Sequence, residues 1–220
     1  MMARILEKIS EFFIGVDLGQ RQDYTAICIL ERAELMFETR DPVTWQCHRE
    51  TRLEICYLER IKLRTPYPDV IDRIRDVAMD SALGERRCLV VDATGAGIPI
   101  VDLLRAANIT CKIVGVGITP NGSSLSGKNG LDRTVAKRDL ITGLQLLFDQ
   151  RKLHIARGLP QTEVLRKELM GMRVKLSAAG HDSYGTGRAG QHDDLVLAVA
   201  LACWRAKDPN QWNWFGGRPG

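Results

Sequence analysis

Four carboxylates stand where apolar runs begin or end. Asp17 closes the run Phe13-Ile14-Gly15-Val16, Asp92 closes Cys88-Leu89-Val90-Val91, and Asp193-Asp194 open the run at 195–202. A carboxylate at the end of a buried element sits on the rim of a core, where water and a hard cation satisfy it instead of leaving it desolvated. Such groups are natural magnesium ligands, and three ends of this kind converging on one spot would form a metal site. Two further groups lie nearby in sequence: Asp23, six residues past Asp17 across a turn, and His192, just ahead of the doubled carboxylate. His192 reads either as polarising a water or as orienting Asp193. The residues after Asp17 and Asp92 are small or flexible enough for a polyanionic backbone to approach. Gly95 and Gly97 would either cradle a phosphate at a helix start or permit tight strand-to-helix packing.

The elements that must position these groups follow from periodicity. Runs at 12–16 and 25–30, separated by a turn at 19–24, suit a hairpin. Residues 52–63 alternate, with Leu53, Ile55 and Tyr57 against Arg52, Glu54 and Glu59, and read as a third, half-exposed strand. The stretch 34–50 between them is polar and reads as irregular. Val70, Ile71, Ile74, Val77 and Ala78 recur at helical spacing over 68–83, with Pro68-Asp69 as a start and Gly84 as a stop. A strand at 88–91, a helix at 98–107 and a strand at 111–116 form a β-α-β unit with short connections, the mark of a parallel pair. The Gly/Ser-rich segment 119–130 is expected to be a mobile loop. Helices are expected at 134–150, 159–170 and 193–206, with a strand at 174–176 and a Gly-rich hairpin or loop at 180–190. The expected class is α/β: a mixed sheet of three antiparallel strands followed by parallel strands, with helices on both faces. Asp17 and Asp92 then fall at the same end of neighbouring strands. Residues 1–206 are expected to form one domain and 207–220 a flexible tail.

With 220 residues, 45% of them hydrophobic, the chain has enough apolar surface for one sizeable core. Its longest apolar stretch, 195–203, is far shorter than a membrane span, and its first residues include acidic ones without a cleavage-like site, so a cytosolic protein is expected. The six cysteines contain no CxxC pair and read as reduced thiols. Cys47-His48 with Cys56 lacks the fourth ligand of a structural zinc site. A net charge of +4 permits a nucleic-acid partner, and its distribution says more than its sum. Lys128, Arg133, Lys137 and Arg138 surround the expected mobile loop, while Arg173, Lys175 and Arg188 precede the closing carboxylates.

The D-x-G-x-x-x-D run of Asp17, Gly19 and Asp23, the strand-end Asp92, and His192-Asp193-Asp194-Leu195 ahead of an apolar helix together resemble the RNase H-like nuclease superfamily. Within it, the chain is most similar to the nuclease domain of tailed-phage large terminase subunits. The resemblance covers nearly the whole chain in order and spacing. It implies an RNase H-like sheet opening with three antiparallel strands, two divalent ions (Mg2+ or Mn2+), and cutting of double-stranded DNA during packaging in the cytoplasm of a bacterial host. By position, the ligands it implies are Asp17, Asp92 and one of the closing pair. Asp194 is the preferred member, with Asp193 behind it or sharing the second ion, and Asp23 is an auxiliary carboxylate. Two ions about 3.5–4 Å apart would clamp the attacking water and the leaving oxygen of an in-line phosphodiester displacement. The basic residues named above would contact phosphates, so that binding falls steeply with salt. The motor signature G-x-x-x-x-G-K-[ST] is incomplete, since Asn129 follows Lys128. The chain is then expected to be an excised domain, a stand-alone nuclease or one subunit of a split machine, and in the last case its partners would be a separate packaging ATPase, a small terminase subunit and a portal. Other readings are a Holliday-junction resolvase of the same fold, a DNA-binding module that does not cut, or an actin-like or sugar-kinase-like ATPase. The last is suggested by Val16-Asp17-Leu18-Gly19 and Asp92-Ala93-Thr94-Gly95-Ala96-Gly97, but it would need two such domains.

Overall fold

Alternating apolar and charged residues carry the first three strands well past their apolar runs. The computed structural model describes residues 4–19, 23–95, 97–119, 131–176, 182–186 and 192–207, with the backbone alone at 173–176 and 182–186. Strands β1 (Ile5–Asp17), β2 (Thr25–Arg40) and β3 (Cys47–Ile61) form an antiparallel meander. The stretch at 34–50, expected to be irregular, is therefore mostly strand. Just ahead of it Lys8 pairs with Glu31 at 2.7 Å and Arg32 with Glu11 at 3.3 Å, Arg32 also reaches Glu34 at 2.9 Å along the strand, and Ala33 and Leu35 turn inward. At the tip, the Asp41 carboxylate accepts the Val43 and Thr44 N–H groups, and Trp45 takes a left-handed φ of 57°. Neighbouring strands begin to pair with this meander only at Phe12 and Leu53. The portion nearer the tip is a three-stranded ribbon running beyond the rest of the sheet.

The remaining strands are parallel to their neighbours. They are β4 (Arg87–Asp92), β5 (Lys112–Thr119), β6 (Arg133–Ala136) and β7 (Leu153–Ile155), giving a seven-stranded sheet in the order β6-β5-β4-β1-β2-β3-β7. The described helices are α1 (Tyr67–Ala78), α2 (Gly97–Ala106), α3 (Lys137–Asp149), α4 (Thr162–Gly171) and α5 (Asp194–Ala206). Strands β8 (Met172–Leu176) and β9 (Asp182–Thr186) form a separate antiparallel hairpin. Three expectations shift. The helix over 68–83 stops at Ala78, because the Asp80 carboxylate accepts the Ala82 N–H and starts a 3-10 turn at Ser81–Leu83. The helix expected from 134 starts at Lys137, because Arg133–Ala136, with its β-branched Thr134 and Val135, extends the sheet beside Val116–Thr119. The helix expected from 159 starts at Thr162.

Both faces of the central strands are buried, which is why those strands read as unbroken apolar runs. Phe13, Cys28, Leu30, Cys88 and Val90 pack with residues of α3, α4 and α5, while Ile14, Val16, Ile27, Leu89 and Val91 pack with α1 and α2. Strand alternation puts Asp17 on the same face as Phe13 and Gly15, the α5 face. Gly15 sets how closely α5 approaches. A Cβ there would lie 2.0 Å from the Ala198 carbonyl oxygen and 2.9 Å from the Ala202 nitrogen. All six cysteines are free thiols, and no described helix is long and apolar enough to cross a membrane. The expected mobile loop and the tail fall almost wholly outside the described residues.

Candidate metal centre

Strands β1 and β4 run parallel with Val16 opposite Val91, so Asp17 and Asp92 emerge side by side at the same end of the sheet. Asp92 is held from its own loop. Its Oδ1 accepts from the Thr94 N–H at 2.8 Å and the Thr94 hydroxyl at 2.5 Å, and that hydroxyl accepts from the Ile118 N–H at 2.8 Å. Helix α2 starts directly on the Asp92 carbonyl, since a Cβ at Gly97 would lie 2.6 Å from that oxygen. Tight packing is thus what Gly97 provides.

Helix α5 delivers the other two carboxylates by counting from Gly15. Two residues along β1 from Gly15 to Asp17 span about 6.6 Å, and four residues back along α5 from Ala198 to Asp194 span about 6 Å. The two carboxylates therefore arrive abreast. Asp194 is 3% exposed, and its Oδ2 accepts from the Tyr24 N–H at 3.4 Å and lies 3.5 Å from Arg60 Nη2. Asp193, the residue before the helix, points elsewhere, its Oδ2 2.7 Å from Lys137 Nζ. His192 Nδ1 lies 3.5 Å from Asp23 Oδ1 and 3.7 Å from Asp194 Oδ2, and it makes no hydrogen bond among the described residues. Tyr24 packs between the Arg60 guanidinium, 4.6 Å from its ring centre, and the edge-on His192 ring at 5.2 Å. Ligand atoms of Asp23, His192 and Asp194 all fall within 4.8 Å of one another, a group able to hold a metal ion.

The carboxylates strain against one another. Burial holds the Asp17 carboxyl well above the usual carboxylate range, and the charges of Asp92, Asp194 and Asp193 push it further, with Lys137 opposing. Asp92 is also raised by burial, against the Thr94 hydrogen bonds, a hydrogen bond from Asp17 and the Lys137 charge. Of these two neighbours Asp17 is the more strongly raised, so it holds its proton the more tightly. Burial raises Asp194 as well, opposed by Arg60, His192 and the Tyr24 N–H. Lys137 acts on Asp17 and Asp92 and binds Asp193, so Asp193 belongs to the Asp92 side of Asp17. Asp194 belongs to the side of Asp23 and His192.

All six acidic and imidazole positions read from the sequence therefore meet in one region. Of the basic ones, Lys137 lies inside the cluster, while Arg133 and Arg138 are exposed on β6 and the first turn of α3. Arg173 and Lys175 fall on β8, where only the backbone is described, and Lys128 and Arg188 lie outside the described residues. Sequence reading missed Thr94, Tyr24, Arg60 and Glu168. Thr94 follows Asp92 by two residues, the spacing of an Asx turn, and was recoverable. Arg60 and Glu168 come from distant elements, and local pattern carries no sign of their meeting.

No protein-family model matches the chain, and no curated protein does. Solved structures do. The large terminase nuclease from thermophilic phage G20c matches over 88% of this chain and 81% of its own, with 23% identity and a TM-score of 0.58. The same nuclease with bound magnesium gives 23% identity and 0.57 over 89% of this chain and 81% of that one. A mutant of the large terminase subunit from bacteriophage Sf6, solved with calcium, matches over 88% of both chains at 13% identity and a TM-score of 0.60. At these identities the likeness is one of fold: the mixed sheet described above is the RNase H-like fold of terminase nucleases.

Proposed function

We propose that this chain is a divalent-metal-dependent endonuclease that cuts double-stranded DNA with Mg2+ or Mn2+, as the nuclease of a phage packaging terminase does. The observation that carries this reading is the convergence of Asp17 and Asp92 from parallel strand ends with Asp193 and Asp194 from the start of α5, all against a buried rim. The donors fit such ions: they are hard oxygens in excess of the nearby cations, and burial reinforced by their mutual repulsion raises the Asp17 carboxyl, a strain that a bound cation would relieve. Asp17 with Asp92 and Asp193 would hold one ion, and Asp17 with Asp194, assisted by Asp23 and His192, the other. Bound there, the two ions would supply an activated water and neutralise the leaving oxygen.

The protein's own groups have defined tasks in this scheme. Asp17, flanked by the other carboxylates, would contribute to both seats, and its raised carboxyl would favour the charged form once a cation is bound. Thr94 fixes the Asp92 carboxylate so that it need not reorganise. Lys137 balances Asp193 in the metal-free state and is left at the rim to meet a phosphate. Arg133 and Arg138, with Lys128, Arg173, Lys175 and Arg188, would grip the phosphates on either side. A packaging ATPase, a small terminase subunit and a portal are the partners this function implies, in a bacterial cytoplasm.

The test is incubation of supercoiled and linear plasmid with the protein in Mg2+, Mn2+ and EDTA. Cutting in either metal and none in EDTA is expected, with Asp17→Asn and Asp92→Asn each inactive yet folded. Cleavage by either variant at the wild-type rate overturns the assignment.

A further inference from the structure

A helix start offers unpaired N–H groups, and an aspartate just before the first helical residue ordinarily turns its carboxylate back onto those two or three residues on. Asp193 occupies that position on α5 and does not do so. Its side chain makes no capping bond, and its Oδ2 reaches Lys137 at 2.7 Å instead. The N–H groups it would have taken, those of Leu195 and Val196, are met from another helix. Glu168 on α4 accepts the Val196 N–H through Oε2 at 3.1 Å and lies close enough to the Leu195 N–H for that dipole to stabilise its charge, while its Oε1 accepts from Arg60. Glu168 is 6% exposed, an acidic side chain buried where a charge persists only with partners on all its oxygens. No step of the metal chemistry calls for it.

We infer that Glu168 is a positioning residue: it caps α5 in place of Asp193 and so leaves both closing carboxylates free to hold metal. The inference rests on the metal-centre reading above. Arg60 extends the same device. Anchored on Glu168 and stacked on Tyr24, it stands 3.5 Å from Asp194 Oδ2 and fixes that carboxylate's direction without binding it as tightly as a close ion pair. Without Glu168, the Val196 N–H loses its acceptor and Asp193 becomes an ordinary cap, turned away from Lys137 and from the ions.

Mn2+ affinity measured by calorimetry on the full chain tests this. Glu168→Ala is expected to weaken binding about 10–100-fold, the usual cost of losing a group that orients metal ligands. Glu168→Gln keeps an oxygen for the N–H groups but gives up the Arg60 anchor, and is expected to restore part of the affinity. A second measurement needs no metal: Asp193→Ala, melted in EDTA, is expected to unfold at or above the wild-type temperature, because no cap is lost and removing a charge that pushes on Asp17 offsets the loss of the partly exposed pair with Lys137. Wild-type Mn2+ affinity in Glu168→Ala, a Gln variant as weak as the Ala variant, or a clear drop in the Asp193→Ala melting temperature each overturns the inference. If Glu168→Ala does not fold, the Asp193→Ala melt decides alone. If the wild type binds no Mn2+, the metal-centre reading fails, and the same melt still judges the cap.

Discussion

Replacing Gly15 by Ala should damage cleavage more than its distance from the chemistry suggests. The added Cβ would sit 2.0 Å from the Ala198 carbonyl oxygen, against the 3.0 Å that real contacts respect, so strand and helix must part by at least about 1 Å. The obstructing atom is helix backbone and cannot swing aside as a flexible side chain would. Helix α5 is buried almost throughout, its first turn included, so a shift at Ala198 carries one turn back to Asp194 and Asp193. Overpacking of this kind costs about 1–3 kcal/mol. For a domain of this size each kcal/mol lowers the melting temperature by about 2–4 °C, for a total of roughly 2–12 °C. Misplacing two carboxylates by about 1 Å from Asp17 should cost on the order of 10²-fold in rate. Calorimetry in EDTA reads the first effect and plasmid nicking in Mn2+ the second. Gly143→Ala on α3 is the control, since its methyl meets only Lys207 Nζ at 3.7 Å, and it should leave both unchanged or slightly raise stability. A Gly15→Ala protein that melts and cuts like the wild type refutes the reasoning.

Three further outcomes are expected. The raised Asp17 and Asp92 carboxyls favour the folded metal-free state most below their unfolded pKa, and this stability is lost as pH rises through their higher folded values. From about pH 4 upward, urea denaturation in EDTA should therefore show a downward contribution to stability that flattens in Asp17→Asn; identical slopes in the two proteins would count against the buried cluster. Mn2+ at about 100 times its dissociation constant should add about 2.7 kcal/mol to wild-type stability and far less to Asp17→Asn, measured by thermal shift. Arg138→Ala should weaken DNA binding and reduce the slope of log affinity against log salt by about 0.9, read by fluorescence anisotropy over a salt series; an unchanged slope removes Arg138 from the phosphate contacts.

The core of the site was legible because its geometry is local. Asp17 and Asp92 end apolar runs, parallel pairing follows from the β-α-β spacing, and those two facts place them together. The closing pair was legible as a helix start but not as two directions, because Lys137 and Tyr24, which separate Asp193 from Asp194, lie far away in sequence. Glu168 was invisible for a related reason. Set among Glu163, Arg166 and Lys167, it reads as one more charge on a solvated helix face, and only tertiary packing buries it. Strand β7 has three residues and β6 four, too short for a period to show, and the helical pattern of α3 runs straight through β6. In the ribbon, polar residues that suggested a loop are held by backbone pairing to both neighbouring strands, which a linear reading cannot see.

That ribbon also decides where the molecule can be handled. Strand β2 has sixteen residues, about 50 Å of extended chain, with the acidic rim at its first residue and the 41–46 turn at its last. An exposed turn of this kind is where grafted sequence is best tolerated. A fluorophore or surface tether attached at Val43, 85% exposed, would leave the acidic rim facing solution and unobstructed. The charges of Glu7 and Lys8 and the irregular pairing between Ile5 and Glu7 guard the bare edge of β1, so molecules crowded on such a surface should stay separate instead of zipping edge to edge.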